Sequence, residues 1–266
     1  MARNSLASQE FGSDWTSPFQ RRQLALRLDL PPMLERRWRL SVEVATERHS
    51  RVTVHATPAR GEYEPTPFIG TDRIERASMY ARRATALSLL GTEVTLAGAV
   101  DVLRSVASSS TLGRATLDLD IQRPIGRDRL VLRTIAGGGT GSRIPVQYET
   151  WLGGPVTLPG AGYASLRGRA GVSQRVEWHH AVPGPTISLG RYGRVPGRIT
   201  LAPFAVLAWT DARTTTGRSA AKGLHPAVGI AGIGLFDLLR VDVARGLRDK
   251  RWLFSVDLTR DFWRVL

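Results

Sequence analysis

The segment QLALRLDL, residues 23–30, decides the fold class. Its leucines recur at every second position, and the residues between them are small or charged. Successive side chains of a β-strand point to opposite faces, so this spacing predicts a strand with one apolar and one polar face. TLDLDI at 116–121 and WLFSVDL at 252–258 repeat the pattern. The chain is therefore predicted to be all-β.

Clusters of proline, glycine and charged residues separate the alternating segments and are typical of turns. Together they predict an antiparallel meander of about 12 strands. The candidate strands lie at 21–30, 37–46, 50–57, 79–90, 93–104, 112–123, 128–137, 143–151, 171–182, 198–211, 223–235 and 237–246, with 250–263 as a possible thirteenth. Residues 1–20 are predicted to be a disordered or linking segment, and residues 21–266 a single domain.

Such a meander can form a soluble sandwich or an outer-membrane barrel. A sandwich buries the apolar faces, whereas a membrane barrel turns them toward lipid and keeps charges in its interior. Several candidate strands reach the roughly 9–11 residues that a membrane-crossing strand needs. Most large aromatic residues stand near predicted strand ends, as interfacial aromatics do: Trp38, Tyr80, Trp151, Trp178, Trp209, Trp252 and Trp263. These features favour an antiparallel up-and-down transmembrane β-barrel.

The composition restricts the classes of partner that the protein is expected to bind. The chain has 266 residues, no cysteine and a net charge of +14. Without thiols, disulfide scaffolds, zinc ribbons and cysteine catalysis are excluded. The charge indicates an anionic partner, such as nucleic acid, a lipid headgroup or lipopolysaccharide. Nucleic acid is not favoured, because the arginines are spread along the chain instead of forming one stripe.

No stretch approaches the roughly 20 apolar residues of a transmembrane helix. The N-terminal residues lack the apolar core of a signal peptide. We therefore expect either a cytoplasmic protein or a mature or truncated portion of an exported one.

Motifs for catalysis and metal binding are weak. There is no G-x-S-x-G nucleophile elbow. His179 and His180 are adjacent, so on a strand they point to opposite faces and cannot chelate one ion together. Asp118 and Asp120 share one face of a strand and are expected to line a barrel interior opposite Arg133 or Arg114. We expect no enzymatic activity, no metal and no cofactor.

A long glycine-rich connection interrupts the meander near residues 139–170. A connection of this length between two strands is often functional. It contains LGG at 152–154 and LRG at 166–168, and RVEW follows at 175–178. Further on come APFA at 202–205, FDLLRVDVAR at 236–245 and WLFSVDLTRDF at 252–262. In this order the motifs resemble those of the bacterial surface antigen superfamily, which comprises BamA/TamA-type outer-membrane assembly factors and two-partner secretion transporters.

The resemblance implies a 16-stranded barrel, of which this chain would supply the C-terminal portion, with a loop folded into the interior. The loop-tip motif falls on Leu166, Arg167 and Gly168. An alternative alignment places the tip at Pro159, Gly160 and Tyr163.

The family pattern also implies partners for two of its motifs. The arginine of the tip, Arg167, is implied to bond to an acidic residue of the barrel wall, but Val206 occupies that position in this chain. The closing strand is implied to carry a signal for the insertion machinery, represented by Phe254, Phe262 and Trp263.

In function, the resemblance implies a non-enzymatic protein of the cell outer membrane that assists the insertion or translocation of proteins. Its implied partners are outer-membrane lipid, lipopolysaccharide and substrate proteins. If about 12 strands do not close, association with a second copy is expected, because an open edge is unfavourable in lipid. The alternatives are a soluble basic β-sandwich that binds an anionic polymer and a passive porin-like barrel.

Overall fold

A computed structural model describes residues 19–31, 38–51, 72–83, 87–89, 91–141, 144–162, 165–188, 190–195, 197–212, 222–235 and 237–258. Most of these residues lie in β-strands. No helix within these ranges is long and apolar enough to cross a membrane.

The strands in chain order are β1 (Phe19–Asp29), β2 (Trp38–Arg51), β3 (Asp72–Arg83), β4 (Leu87–Leu89), β5 (Thr92–Ser105), β6 (Thr111–Ile125), β7 (Asp128–Thr140), β8 (Thr150–Leu152), β9 (Leu166–Gly168), β10 (Ala170–Pro183), β11 (Ile187–Ser188), β12 (Arg194–Val195), β13 (Arg198–Thr210), β14 (Gly223–Gly234), β15 (Leu239–Gly246) and β16 (Trp252–Leu258). One antiparallel sheet runs in the order β1-β2-β3-β5-β6-β7-β10-β13-β14-β15-β16, and β4 pairs with β5. The predicted antiparallel all-β fold is confirmed.

The two faces of this sheet are inverted relative to a soluble protein. On one face large apolar side chains are exposed, among them Leu24 at 76% and Leu26 at 74%. On the other face charged side chains are buried, among them Glu47 at 1%, Arg76 at 7% and Asp242 at 5% exposure. This arrangement is that of a membrane barrel wall, and it does not fit the soluble sandwich.

The sheet curls around its polar face. Arg175 on β10 and Asp242 on β15 are separated by β13 and β14, which would place their strands about 14 Å apart in a flat sheet. Their side chains nevertheless meet, with Arg175 Nη2 3.0 Å from Asp242 Oδ1. The charged face is therefore concave.

Among the described residues, β1 and β16 are the two edges of the sheet, and each pairs on one side only. The sheet path contains eleven strands, close to the predicted number of about 12 and fewer than the 16 that the resemblance implies. Both edges present unpaired backbone groups.

The predicted strand at 143–151 is wrong. Residues 146–148 form a 3-10 turn, and only Thr150–Leu152 of this segment are extended in a strand. Pro145 has no N–H for a strand ladder. The alternation arises because Ile144, Val146 and Tyr148 are buried, not because the segment pairs within the barrel wall.

Two further strands have boundaries that differ from the predicted ones. The strand predicted at 79–90 begins earlier, as β3 (Asp72–Arg83), and β2 continues to Arg51 into the strand predicted at 50–57. Residues 52–57 lie outside the described part of the chain, as do most of the predicted N-terminal segment 1–20. Phe19 and Gln20 of that segment belong to β1.

The aromatic residues follow the predicted pattern in part. Trp38 begins β2, Trp252 begins β16, and Trp209 is the penultimate residue of β13. Trp151 departs from the pattern, because it lies in β8 within the connection between β7 and β10.

Candidate functional site: the interior loop

The connection between β7 and β10, residues 141–169, lies on the concave face of the sheet and is called here the interior loop. It contains the 3-10 turn Val146–Tyr148, strand β8, one helical turn α1 (Gly154–Thr157) and strand β9. Strands β8 and β9 pair with each other, with Trp151 opposite Arg167. The loop thus has a small framework of its own and contacts two separate parts of the barrel wall.

The first contact is with β2. The Tyr148 hydroxyl donates to Glu47 Oε2 at 3.0 Å, and Gln147 Nε2 lies 2.9 Å from His49 Nδ1. His49 Nε2 lies 2.8 Å from the same Glu47 oxygen. Glu47 and His49 are each 1% exposed. Directional polar bonds therefore hold the loop to this wall.

These bonds belong to a larger set, the first charge cluster, formed by Glu43, Glu47, His49, Arg76 and Asp101. Arg76 Nε donates to Glu47 Oε1 at 2.8 Å, and its Nη2 pairs with Glu43. Arg76 Nη1 lies 3.7 Å from Asp101 Oδ1. A buried charge needs such partners, because removing an unpaired charge from water is costly.

The cluster changes the acidity of the loop tyrosine. Burial, together with the neighbouring Glu47 carboxylate, raises the pKa of the Tyr148 phenol well above its ordinary value. The phenol therefore stays protonated and remains a hydrogen-bond donor to Glu47 throughout the neutral range.

The second contact is with β10. Arg175 Nη1 donates to the Pro155 carbonyl of the loop at 2.9 Å, and Ser173 Oγ donates to the Thr157 carbonyl at 2.5 Å. The Arg175 guanidinium also lies 3.8 Å from the centre of the Phe204 ring. Side chains of the wall thus satisfy carbonyl groups at the helical turn α1.

Arg175 is part of a second charge cluster with Glu177, Arg240 and Asp242. Arg175 pairs with Glu177 and Asp242, and Arg240 Nη2 lies 2.8 Å from both Glu177 Oε1 and Asp242 Oδ1. Two guanidinium groups therefore face two carboxylates. This cluster connects β10 to β15 across β13 and β14.

Apolar packing completes the second contact. The buried residues of this packing are Leu152, Leu158, Ala161 and Leu166 of the loop, and Ala202, Phe204, Val206, Ala208, Ala227, Ala231, Ile233 and Ala244 of the wall. Most of the wall residues are alanine, which leaves room for the loop above β13 and β14. The loop also approaches Gly246 so closely at Gly160 that an added Cβ would overlap the Gly246 nitrogen.

No family model matches the sequence, and no curated protein matches it. The fold of this chain is similar to that of solved structures. CdiB from Acinetobacter baumannii aligns with a TM-score of 0.54 and 16% identity, over 90% of this chain and 42% of CdiB. BamA from Haemophilus ducreyi lacking POTRA domains 1–3 aligns with a TM-score of 0.56 and 13% identity, over 92% of this chain and 54% of that one. The chain has the fold of the BamA and CdiB barrels.

This chain spans about half the length of these two solved proteins. The alignments include about nine-tenths of this chain. The matched fold agrees with the superfamily resemblance of the sequence.

The BamA-like fold places the predicted tip residues Leu166, Arg167 and Gly168 in β9, where all three are buried. The Arg167 guanidinium lies 5.3 Å from the centre of the Trp151 ring, and its Nη1 has no hydrogen-bond partner among the described residues. Val206 is buried and apolar. Among the described residues, the arginines that pair with acidic residues of the wall, such as Arg175, lie on the wall themselves. The assignment of the tip stays a prediction.

The residues of the alternative tip lie close to β15. Pro159 and Gly160 are buried, and Gly160 contacts the turn after β15 at Gly246. Tyr163 lies outside the described residues. In the closing strand, Phe254 is 66% exposed on the outward face of β16. Phe262 and Trp263 lie outside the described residues, so the C-terminal signal stays a prediction.

Two expectations about polar side chains are confirmed. Arg133 Nη2 donates to Asp118 Oδ2 at 2.9 Å on the polar face. His179 and His180 have different partners, since His179 Nε2 lies 2.8 Å from Glu177 Oε2 and His180 Nδ1 2.7 Å from Asp128 Oδ1. In the described part of the chain, no group of three or more His, Cys, Asp or Glu residues is placed to hold a metal.

The first charge cluster was not predicted. Its signal in the sequence is the recurrence of Glu43, Glu47 and His49 at positions of one parity on β2, with Arg76 on the next strand. Spacing of two assigns these residues to one face. It does not indicate that Tyr148, about a hundred residues later in the chain, binds them.

Proposed function

We propose that the protein is a non-enzymatic barrel of the outer membrane that assists the insertion or translocation of proteins. The observation that carries the proposal is the interior loop, which is anchored to two walls of a BamA-like sheet whose terminal strands β1 and β16 each pair on one side only among the described residues.

The free edges supply the chemistry of the proposed mechanism. An edge strand presents unpaired N–H and C=O groups, which can bind an extended segment of another protein by strand addition. The outward residues in the middle of β1 and β16 are apolar, including Leu24, Leu26, Phe254 and Val256. A substrate strand that alternates apolar and polar residues would therefore continue the sheet with its apolar side toward lipid.

The loop would keep the shape of the concave face constant while the edges exchange partners. Its polar contacts lie on β2 and β10, its apolar packing covers β13 to β15, and its closest approach is to Gly246 at the end of β15. The substrate would thus engage the edges without displacing the loop.

Site-specific photo-crosslinking tests the proposal. A photoreactive residue replaces Leu24 on β1, Phe254 on β16 or, as the matched control, Val102 on the central strand β5, whose side chain is also exposed. The barrel is reconstituted in liposomes with an unfolded outer-membrane protein as substrate. Crosslinks to substrate at the two edge positions and none at Val102 are expected.

Other outcomes would contradict the proposal. Equal crosslinking at all three positions would indicate nonspecific contact. Crosslinks only between copies of the chain would indicate that self-association occupies the edges. Ion conductance without any substrate crosslink would favour the passive porin-like barrel.

A further inference from the structure

A row of three arginines crosses the outward face of the sheet at one end. In the strand register, Arg22 of β1 lies opposite Arg48 of β2, and Arg48 lies opposite Arg73 of β3. All three side chains are exposed. Neighbouring strands are about 4.8 Å apart, so the three positive charges lie within about 10 Å.

Like charges placed directly opposite each other destabilise a sheet, so this row is unfavourable by itself. Among the described residues no carboxylate forms an ion pair with any of the three arginines; the only side-chain bond of the row is from Arg73 Nε to Thr46 Oγ1, at 3.2 Å. An anion from outside the chain would remove the repulsion.

The nearby acidic groups have other partners or positions. Glu47 points to the concave face and belongs to the first charge cluster. Asp72 accepts hydrogen bonds from Ser105 Oγ at 2.6 Å and from the Ala107 amide at 3.2 Å. Glu75 lies on the outward face one row closer to the middle of the strands, where its register partner is Arg104.

The row lines a groove of about 700 Å³, together with Leu24 and Thr46. Glu47 and Asp72 also line this groove, and both are already bonded to other groups of the protein. Below the groove, toward the middle of the strands, the outward face is apolar, with Leu26 on β1, Val44 on β2 and Val102 on β5 exposed. Positive charge at the end of an apolar band matches a lipid, whose headgroup carries the negative charge and whose acyl chains cover the apolar rows.

The end of the sheet that carries the row is also the end of the longest connections. Residues 52–71 follow β2, and the interior loop 141–169 follows β7, whereas a two-residue turn at 126–127 joins strands at the opposite end. In outer-membrane barrels long loops face outward and short turns face the periplasm. The row therefore belongs to the outer leaflet side.

We propose that Arg22, Arg48 and Arg73 form a binding site for the phosphorylated headgroup of an outer-leaflet lipid. Guanidinium groups bind phosphate with charge-assisted, often bidentate hydrogen bonds. The proposal requires that the barrel lies in a membrane, but it does not require that the barrel inserts or transports proteins.

Lipid titration of the purified barrel in zwitterionic micelles tests the site, with bound lipid counted by native mass spectrometry. The probe is lipid A, which carries phosphate groups. Each arginine near an anionic headgroup contributes about fivefold in affinity, so the triple variant Arg22→Gln, Arg48→Gln, Arg73→Gln is expected to bind about 100-fold more weakly. The triple Arg→Lys variant at the same positions is expected to retain most of the binding, because its charge is unchanged.

The matched control removes three exposed arginines at the opposite end of the sheet, Arg123, Arg127 and Arg194, also by Arg→Gln. It changes the net charge equally and is expected to change the affinity less than about threefold. An equal loss in both triple variants would overturn the proposal in favour of general charge attraction. Unchanged binding in the first variant would overturn it outright.

Two further measurements separate the remaining outcomes. Displacement of the lipid by millimolar inorganic phosphate would indicate a site for free phosphate and would overturn the lipid assignment. Circular dichroism in the same micelles checks that the variants are folded. If the triple Gln variant is not folded, the triple Lys variant is used to test the site. The edge-crosslinking experiment is independent, since it fails or succeeds without any change at these arginines.

Discussion

The interior loop meets β2 through hydrogen bonds between polar side chains, and it meets the wall of β10 to β15 through a guanidinium, backbone carbonyls and close apolar packing. The first contact depends on Tyr148 and Gln147. The second depends on Arg175, Gly160 and the alanine-rich surface of β13 and β14. At the first contact Ile144 and Tyr148 also pack on Ile74, Leu103 and Leu112, but this apolar cluster is smaller than the one at the second contact. We therefore expect the second contact to be the stronger anchor and the first to open more easily.

Replacing Arg175 by Met is expected to weaken the second anchor most. Removing this guanidinium leaves Arg240 as the one guanidinium facing Glu177 and Asp242, and breaking such a buried set costs about 4 kcal/mol. The free energy of unfolding in detergent, from guanidinium titration, measures the loss. The matched control, Arg133→Met, breaks the half-exposed pair with Asp118 and should cost less than about 1 kcal/mol. Equal effects would contradict the comparison.

Replacing Gly160 by Ala tests the close approach. Gly160 has φ +87°, and an added Cβ would lie 2.8 Å from Gly246 Cα. Overpacking and the left-handed backbone together should cost about 3 kcal/mol. Limited proteolysis of the interior loop and the free energy of unfolding measure the effect. Gly162→Ala is the control, because its Cβ would lie 3.7 Å from its nearest neighbour, the Ser165 Cβ, and protection should persist there.

Replacing Tyr148 by Phe tests the weaker anchor. The change removes one hydrogen bond to the Glu47 carboxylate, which is worth about 2 kcal/mol. Hydrogen exchange should increase at residues 144–152 and stay unchanged at residues 154–161. Exchange that increases over the whole loop would show that the two anchors open together.

The pH dependence of the unfolding free energy tests the same contact. The pKa of Tyr148 is raised in the folded protein, so above about pH 10 the unfolded chain loses a proton that the folded chain keeps. Stability from this group is therefore complete below about pH 10 and decreases as the pH rises further. The advantage of the wild type over Tyr148→Phe, measured as unfolding free energy at about pH 8 and about pH 11, should shrink at the higher pH. A constant difference would contradict this assignment.

The sequence predicted those parts of the fold that depend on local alternation. QLALRLDL at 23–30 gave β1 correctly, because its leucines face outward and its polar residues face the other side. The same rule failed at 143–151, where Ile144, Val146 and Tyr148 alternate but pack onto the wall as a loop. Local spacing alone does not distinguish a strand of the wall from a loop that packs against it.

The site was predictable only in its location. The glycine-rich composition of 139–170 marked the loop, and Arg167 was the arginine expected to bind the wall. That assignment stays a prediction, and the structure adds a pair that the spacing did not indicate, between Arg175 of β10 and Asp242 of β15. Contacts that depend on curvature have no signature in the spacing of residues along one strand.

The second charge cluster also has a geometric consequence for the whole barrel. It bridges β10 and β15 across the two strands between them, so we expect it to favour a small radius in that part of the wall. The width of the opening between β1 and β16 depends on this radius, although neither edge strand contributes a residue to the cluster. We therefore expect substitutions in these two arginines and two carboxylates to change the separation of β1 and β16, although the cluster lies several strands away from β1.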